Sequence, residues 1–134
     1  MTVKTFTVGN MDNKCYLVTD DAGGQHPVSA DILCDDGDEI SLGELTFKVI
    51  YTPGHTVGCV CYECGDALFT GDTLFRLGVG RTDLPTGSTP KMVDSLKKLY
   101  NIKGDFEVFP GHGKPSTLDV ERSMNPFMKR AMSL

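Results

Sequence analysis

The sequence predicts an α+β domain: β segments fill its first half, β and helical segments alternate in its second, and 134 residues allow one hydrophobic core. Residues 3–8 (VKTFTV) and 14–19 (KCYLVT) are short and rich in β-branched side chains. Gly9-Asn10-Met11-Asp12-Asn13 between them supplies the turn of an N-terminal hairpin, and Asp20-Asp21-Ala22-Gly23-Gly24 ends its second strand. Residues 25–38 carry weaker signals. His26-Pro27 favours an extended or turn conformation, and Asp35-Asp36-Gly37-Asp38 a tight turn.

From Glu39 the pattern is strongly β. EISLG leads through a turn at Gly43-Glu44 into LTFKVIY, where Leu45, Phe47 and Val49 alternate with Thr46 and Lys48. Residues 57–63 and 67–70 form the next hairpin around Cys64-Gly65-Asp66, and a Gly- and Pro-rich loop runs from Gly71 to Ser88. Ser88 or Thr89 before Pro90 opens a helix, because a hydroxyl accepts from the free N–H groups of the first turn and proline fits there. Met92, Val93, Leu96, Leu99 and Tyr100 recur at helical spacing, so this helix is amphipathic and stops near Gly104. Residues 106–109 (FEVF) make a further strand. Ser116 or Thr117 opens a last helix over Leu118 to Met132, interrupted at Pro126.

Composition narrows the function. The net charge of −5 is dispersed and no basic stripe is present, which argues against a nucleic-acid partner and favours a small molecule or a protein. No run of about 18 apolar residues and no signal-peptide pattern occurs, so the expectation is a cytoplasmic protein without a membrane span. Five cysteines, an odd number, then point to thiols and not to a disulfide framework.

Three times a strand runs into a glycine followed at once by a candidate metal ligand: Thr52-Pro53-Gly54-His55, Thr70-Gly71-Asp72 and Pro110-Gly111-His112. Strand ends converge on one edge of a sheet, and glycine lets the backbone turn sharply towards a shared centre. Two imidazoles and a carboxylate suit Zn, with Fe and Mn also compatible. Singly, each residue has a plainer reading as a loop histidine or a turn-forming aspartate; it is their repetition in one context that singles them out. Cys59-x-Cys61-x-x-Cys64 has a spacing used by zinc and redox sites, but its plainer reading is packing along a strand. Arg81 and Asp83 either steer an anionic substrate or pair with each other at the surface. Lys91, Lys97, Lys98 and Lys103 read as a solvated face, the alternative being contact with a carboxylate-bearing thioester; Phe69, Phe75, Phe106 and Phe109 read as core, with pocket lining the alternative for Phe75.

TPGHT, LFTGDTLF, GRTDLP, FPGHG and MNPF, in this order, resemble the C-terminal half of the glyoxalase II-like branch of the metallo-β-lactamase superfamily, the hydroxyacylglutathione and other thioester hydrolases. The resemblance covers residues 39–128, and MDNKCYLV resembles the family's first strands. It implies an αβ/βα sandwich, truncated here to a mostly antiparallel or mixed sheet with two C-terminal helices. One domain would span 1–134, with 1–22 its N-terminal hairpin and 39–134 its C-terminal half. It also implies that His55 ligates one metal, that His112 ligates a second, and that Asp72 is the catalytic bridging carboxylate between them. Such a pair of ions activates a water to attack a thioester carbonyl.

The family's His-x-His-x-Asp-His segment, which would contribute four further ligands, does not occur; His26 is the one remaining histidine. The junction falls near Asp21-Ala22-Gly23-Gly24. Each ion would then keep two protein ligands where catalytic zinc has three, so the expectation is an impaired or inactive hydrolase with one ion or none. A single ion on His55, Asp72 and His112 is the alternative. Loss of a half-domain exposes an apolar sheet face and a strand edge, which predicts a homodimer or a strand-exchanged oligomer. The rival reading is a non-catalytic half-fold, natural or engineered, that dimerises or complements a separate chain.

Overall fold

A computed structural model describes residues 34–134 in full and, before them, two strands, β1 (Thr2–Thr5) and β2 (Tyr16–Thr19). These pair antiparallel with Thr2 opposite Thr19, as the N-terminal hairpin requires. The turn expected at 9–13, the junction near 21–24, Cys15 and His26 lie outside the described residues.

The body is a six-stranded mixed sheet. Strands β3 (Glu39–Leu42), β4 (Leu45–Tyr51), β5 (Val60–Cys64) and β6 (Ala67–Gly71) form an antiparallel meander, each step set by sequence alternation and a turn. Gly65 takes φ 56°, a left-handed conformation that suits the tight turn between β5 and β6. The chain then leaves the sheet through β7 (Leu74–Phe75), β8 (Gly78–Val79) and helix α1 (Thr89–Tyr100), and returns as β9 (Glu107–Pro110), parallel to β6. β10 (Ser116–Thr117) closes that edge, giving the order β10-β9-β6-β5-β4-β3. Helices α2 (Leu118–Met124) and α3 (Pro126–Met132) follow.

Local chemistry explains the helix ends. Ser88 caps α1 by accepting from the Lys91 N–H, Thr117 caps α2 by accepting from Val120, and Lys97 and Lys98 lie in the last turn of α1, where the helix dipole favours cations. The expected final helix is two: Pro126 holds Asn125 out of the helical region (ψ 117°), and the Asn125 side chain caps α3 instead. The chain therefore has three helices in its C-terminal half, not two.

The two sheet faces differ. On one, Ile50, Cys61, Leu68 and Val108 meet Met92, Leu96 and Leu99 of α1, Leu118 of α2 and Met128 and Ala131 of α3 in a single buried core. Each large side chain so buried contributes roughly 1.5–3 kcal/mol. On the other, Val49, Val60 and Tyr62 are flanked by Phe47 and Phe69. An aromatic row runs along this face, with Phe47 and Phe69 centroids 6.2 Å apart and Phe69 stacked on Phe109 at 5.3 Å. Phe69 and Phe109, read from the sequence as core, are only half-buried because no described helix covers them, whereas Phe106 is buried as expected. The loop 71–88, read as irregular, contains the β7–β8 hairpin, whose two-residue strands are too short to show alternation. Among the described residues no helix is long and apolar enough to cross a membrane.

Candidate metal centre

The ends of β4, β6 and β9 deliver His55, Asp72 and His112 to one place. Asp72 lies between the histidines and gives one oxygen to each: His55 Nε2 is 3.5 Å from Oδ2, and His112 Nε2 is 3.3 Å from Oδ1. The convergence expected from the three strand-Gly-ligand repeats is thus present, with the carboxylate in the central position.

Buried hydroxyls fix two of the strand ends. Thr52 Oγ1 is 3.0 Å from Thr73 Oγ1, and the Thr70 hydroxyl donates to the Leu74 carbonyl at 2.7 Å. Glycine permits the close approaches. A Cβ on Gly54, where φ is 149°, would lie 2.6 Å from the Met92 Cα, so the His55 loop can pack against α1 only with glycine there. A Cβ on Gly80 would lie 1.9 Å from the Asp72 carbonyl oxygen, and one on Gly111 would lie 2.6 Å from Asp72 Oδ1.

Imidazole orientation decides what the site can accept. The Nδ1–H of His55 donates to the Arg81 carbonyl at 2.7 Å, which leaves Nε2 facing Asp72. A neutral Nε2 and a carboxylate oxygen are both acceptors, so the contact is favourable only with a proton or a cation between them. The donor chemistry is that of a metal ligand pair, twice over. It is incomplete on each side, because every pair supplies one imidazole and one carboxylate oxygen, short of the three protein ligands of a catalytic zinc. Among the described residues no group of three or more His, Cys, Asp or Glu is gathered closely enough to hold an ion.

Arg81 and Asp83 pair with each other, through bonds of 2.7 and 2.8 Å between the guanidinium and the two carboxylate oxygens, and both are exposed. The hydrogen bond from Arg81 holds the Asp83 carboxyl down to about 2. What Arg81 gives the site is its backbone carbonyl, a role no side-chain motif reveals. Phe75, core or pocket lining by its sequence, is half-buried, its ring edge-on to His112 at 5.8 Å, and the two line an open groove of about 560 Å³ with Arg76, Gly113 and Lys114. Its place directly after Gly-Asp-Thr-Leu was the available signal.

The cysteines stand apart from this chemistry. Cys59 and Cys61 are buried, and burial pushes the Cys61 thiol up to about 12 against the hydrogen bonds from Thr52 and Thr73. Cys64 is three residues on, so at ~3.3 Å per strand residue it is about 10 Å away on the other face. That geometry excludes a Cys61–Cys64 redox pair and supports the packing reading.

Residues 15–112 match the metallo-beta-lactamase superfamily model, and the chain belongs to that superfamily. It is 44% identical over 98 residues to an uncharacterised protein of Mycobacterium leprae, covering 70% of this chain and 45% of the relative. It is 52% identical over 79 residues to the hydroxyacylglutathione hydrolase of Brucella anthropi, covering 58% of this chain and 30% of that one. With human mitochondrial persulfide dioxygenase ETHE1 it shares 36% over 104 residues, 72% of this chain and 41% of that one. Among solved structures, ETHE1 from Myxococcus xanthus superposes with a TM-score of 0.70 at 37% identity, over 72% of this chain and 45% of the other. TTHA1623, solved in a di-iron-bound form, gives 0.68 at 37% identity, over 78% and 51%. The chain spans about half the length of these first-matched relatives. The fold is that of the superfamily, whose members bind metal, and the resemblance read from the motifs to its glyoxalase II-like branch is confirmed.

Proposed function

We propose that this chain is a thioester hydrolase relative, of the hydroxyacylglutathione hydrolase kind, carrying one half of a two-metal centre, and that on its own it turns over thioesters weakly or not at all. The supporting observation is the placement of Asp72, whose two oxygens each address a different imidazole. A carboxylate so placed is suited to bridging two cations, and bound metal would supply a coordinated water ionising near ~7. The chain's own residues set the rest: His55 is oriented by the Arg81 carbonyl, His112 by Phe75, and the groove beside His112 is open to a small molecule. The limiting deficit is ligand number, two per ion. Hydrolysis of a hydroxyacylglutathione, followed by thiol release with added zinc, iron or manganese, tests this. The expected result is a rate indistinguishable from the metal salt alone; turnover that disappears in both His55→Ala and His112→Ala would show a working centre instead.

The half-buried row Phe47, Phe69 and Phe109 favours a second reading beside the first: the chain pairs through this face with a second copy or with a complementing half-domain. Light scattering on the eluting protein is expected to give a dimer, and a monomer at every concentration would remove the self-pairing reading.

A further inference from the structure

We infer that Glu121 is a positioning residue for His112, holding with its two carboxylate oxygens the two segments that flank the His112 loop. Glu121 is fully buried, as is its neighbour Asn125. A carboxylate at such depth is costly unless well hydrogen-bonded, and this one is met by three donors. Oε1 accepts from the Ser116 hydroxyl at 2.6 Å. Oε2 accepts from the Leu77 N–H at 2.9 Å and from Asn125 Nδ2 at 2.7 Å.

The destinations of these bonds carry the inference. Ser116 begins β10, the strand that pairs with β9, so the loop 111–115 bearing His112 has its far end anchored on Oε1. Leu77 is in the turn between β7 and β8, and its φ of 57° is a left-handed conformation that a branched residue keeps only when its surroundings fix it. The bond from Oε2 does so. Asn125 adds the same turn's carbonyls, donating to Gly78 at 3.1 Å and to Phe75 at 3.4 Å, while its Oδ1 caps α3. Phe75 then stands edge-on to His112.

His112 needs such support, because its side chain is 75% exposed, with Asp72 and the Phe75 ring beside it. One buried group thus sets both sides of an exposed imidazole. The importance of His112 to chemistry rests on the reading proposed above; its positioning by Glu121 does not.

The test is NMR of the imidazole protons in the metal-free protein, where three histidines are assigned with His55→Ala and His112→Ala. Ser116→Ala removes one bond to Glu121 and leaves the other two. Glu121→Gln can keep all three contacts, since its amide oxygen can replace Oε2 and its NH₂ can donate to Ser116, whereas Glu121→Ala keeps none. In the folded Ser116→Ala and Glu121→Ala proteins the His112 ring signals are expected to move towards those of an unrestrained histidine, the His55 signals to stay, and Glu121→Gln to restore the wild-type pattern. If Glu121→Ala does not fold, Ser116→Ala alone decides. A lower Tm with His112 signals unchanged in the folded variants would make the network structural only and overturn the inference. Thioester turnover plays no part in the readout, so failure here and failure of the hydrolase reading are separate results.

Discussion

His55 and His112 face the same carboxylate from opposite sides, and they are held in different ways. The His55 side chain is 13% exposed, its ring bonded to a backbone carbonyl and its loop pressed against α1 through Gly54. The His112 side chain is 75% exposed, on a loop beside the sheet edge formed by β9 and β10, with an aromatic edge and a remote carboxylate network as support. The meander and α1 make the His55 arm rigid from within. The segments flanking the His112 arm are held by Glu121 of α2 and by Asn125 between α2 and α3. One side of Asp72 is thus enclosed while the other stays open to solvent.

The largest expected effect is on the closed arm. Gly80→Ala would place a Cβ 1.9 Å from the Asp72 carbonyl, a backbone atom that cannot rotate away, so the variant should lose about 3 kcal/mol or more and show it as a large fall in Tm. Stability close to wild type would mean that the arm is softer than its packing implies. Gly111→Ala comes next. Its nearest clash, at 2.6 Å, is with the Asp72 side chain, which can shift, so a smaller loss of about 1–3 kcal/mol is expected, together with loss of the Asp72–His112 contact in the His112 ring signals.

On the open arm one change should stabilise. Leu77→Gly relieves a left-handed residue while keeping the N–H that Glu121 accepts; relief of ~1–2 kcal/mol less the entropy of glycine leaves a gain of about 0.5 kcal/mol in urea unfolding. A loss would mean that the Leu77 side chain contributes more than its 43% exposure suggests. The smallest effect at neutral pH concerns the core beneath the site. Cys61 ionises only at about 12, so its share of stability is full below the ordinary 9.0 and is lost as the pH rises through about 12. At pH 8, iodoacetamide should modify half-exposed Cys64 and leave Cys61 untouched until the protein unfolds; early labelling of Cys61 would contradict a closed core.

Much of the closed arm could be read in the sequence because each part has a local cause. Alternation in 45–51, glycine turns at 43 and 65 and the Ser88–Pro90 start are all short-range signals, and the repeated strand-Gly-ligand pattern marked His55, Asp72 and His112 before any contact was known. The open arm could not be read so directly. Glu121 and Asn125 stand four residues apart in what looked like one interrupted helix, and their partners in 75–78 are more than 40 residues away. Their one available signal is a carboxylate and an amide on the helix face that also carries Leu118 and Met128. The β7–β8 hairpin could not be read for the related reason that a two-residue strand has no period.

The proposed two-metal centre with half its ligands can be probed by equilibrium dialysis against zinc, with iron and manganese in parallel, on the wild type and on His55→Ala and His112→Ala. Two protein ligands per ion predict well below one tightly bound equivalent in the wild type, with the two variants little different. One or more equivalents bound tightly, and lost in either variant, would contradict the account and establish that His55, Asp72 and His112 suffice for a metal centre.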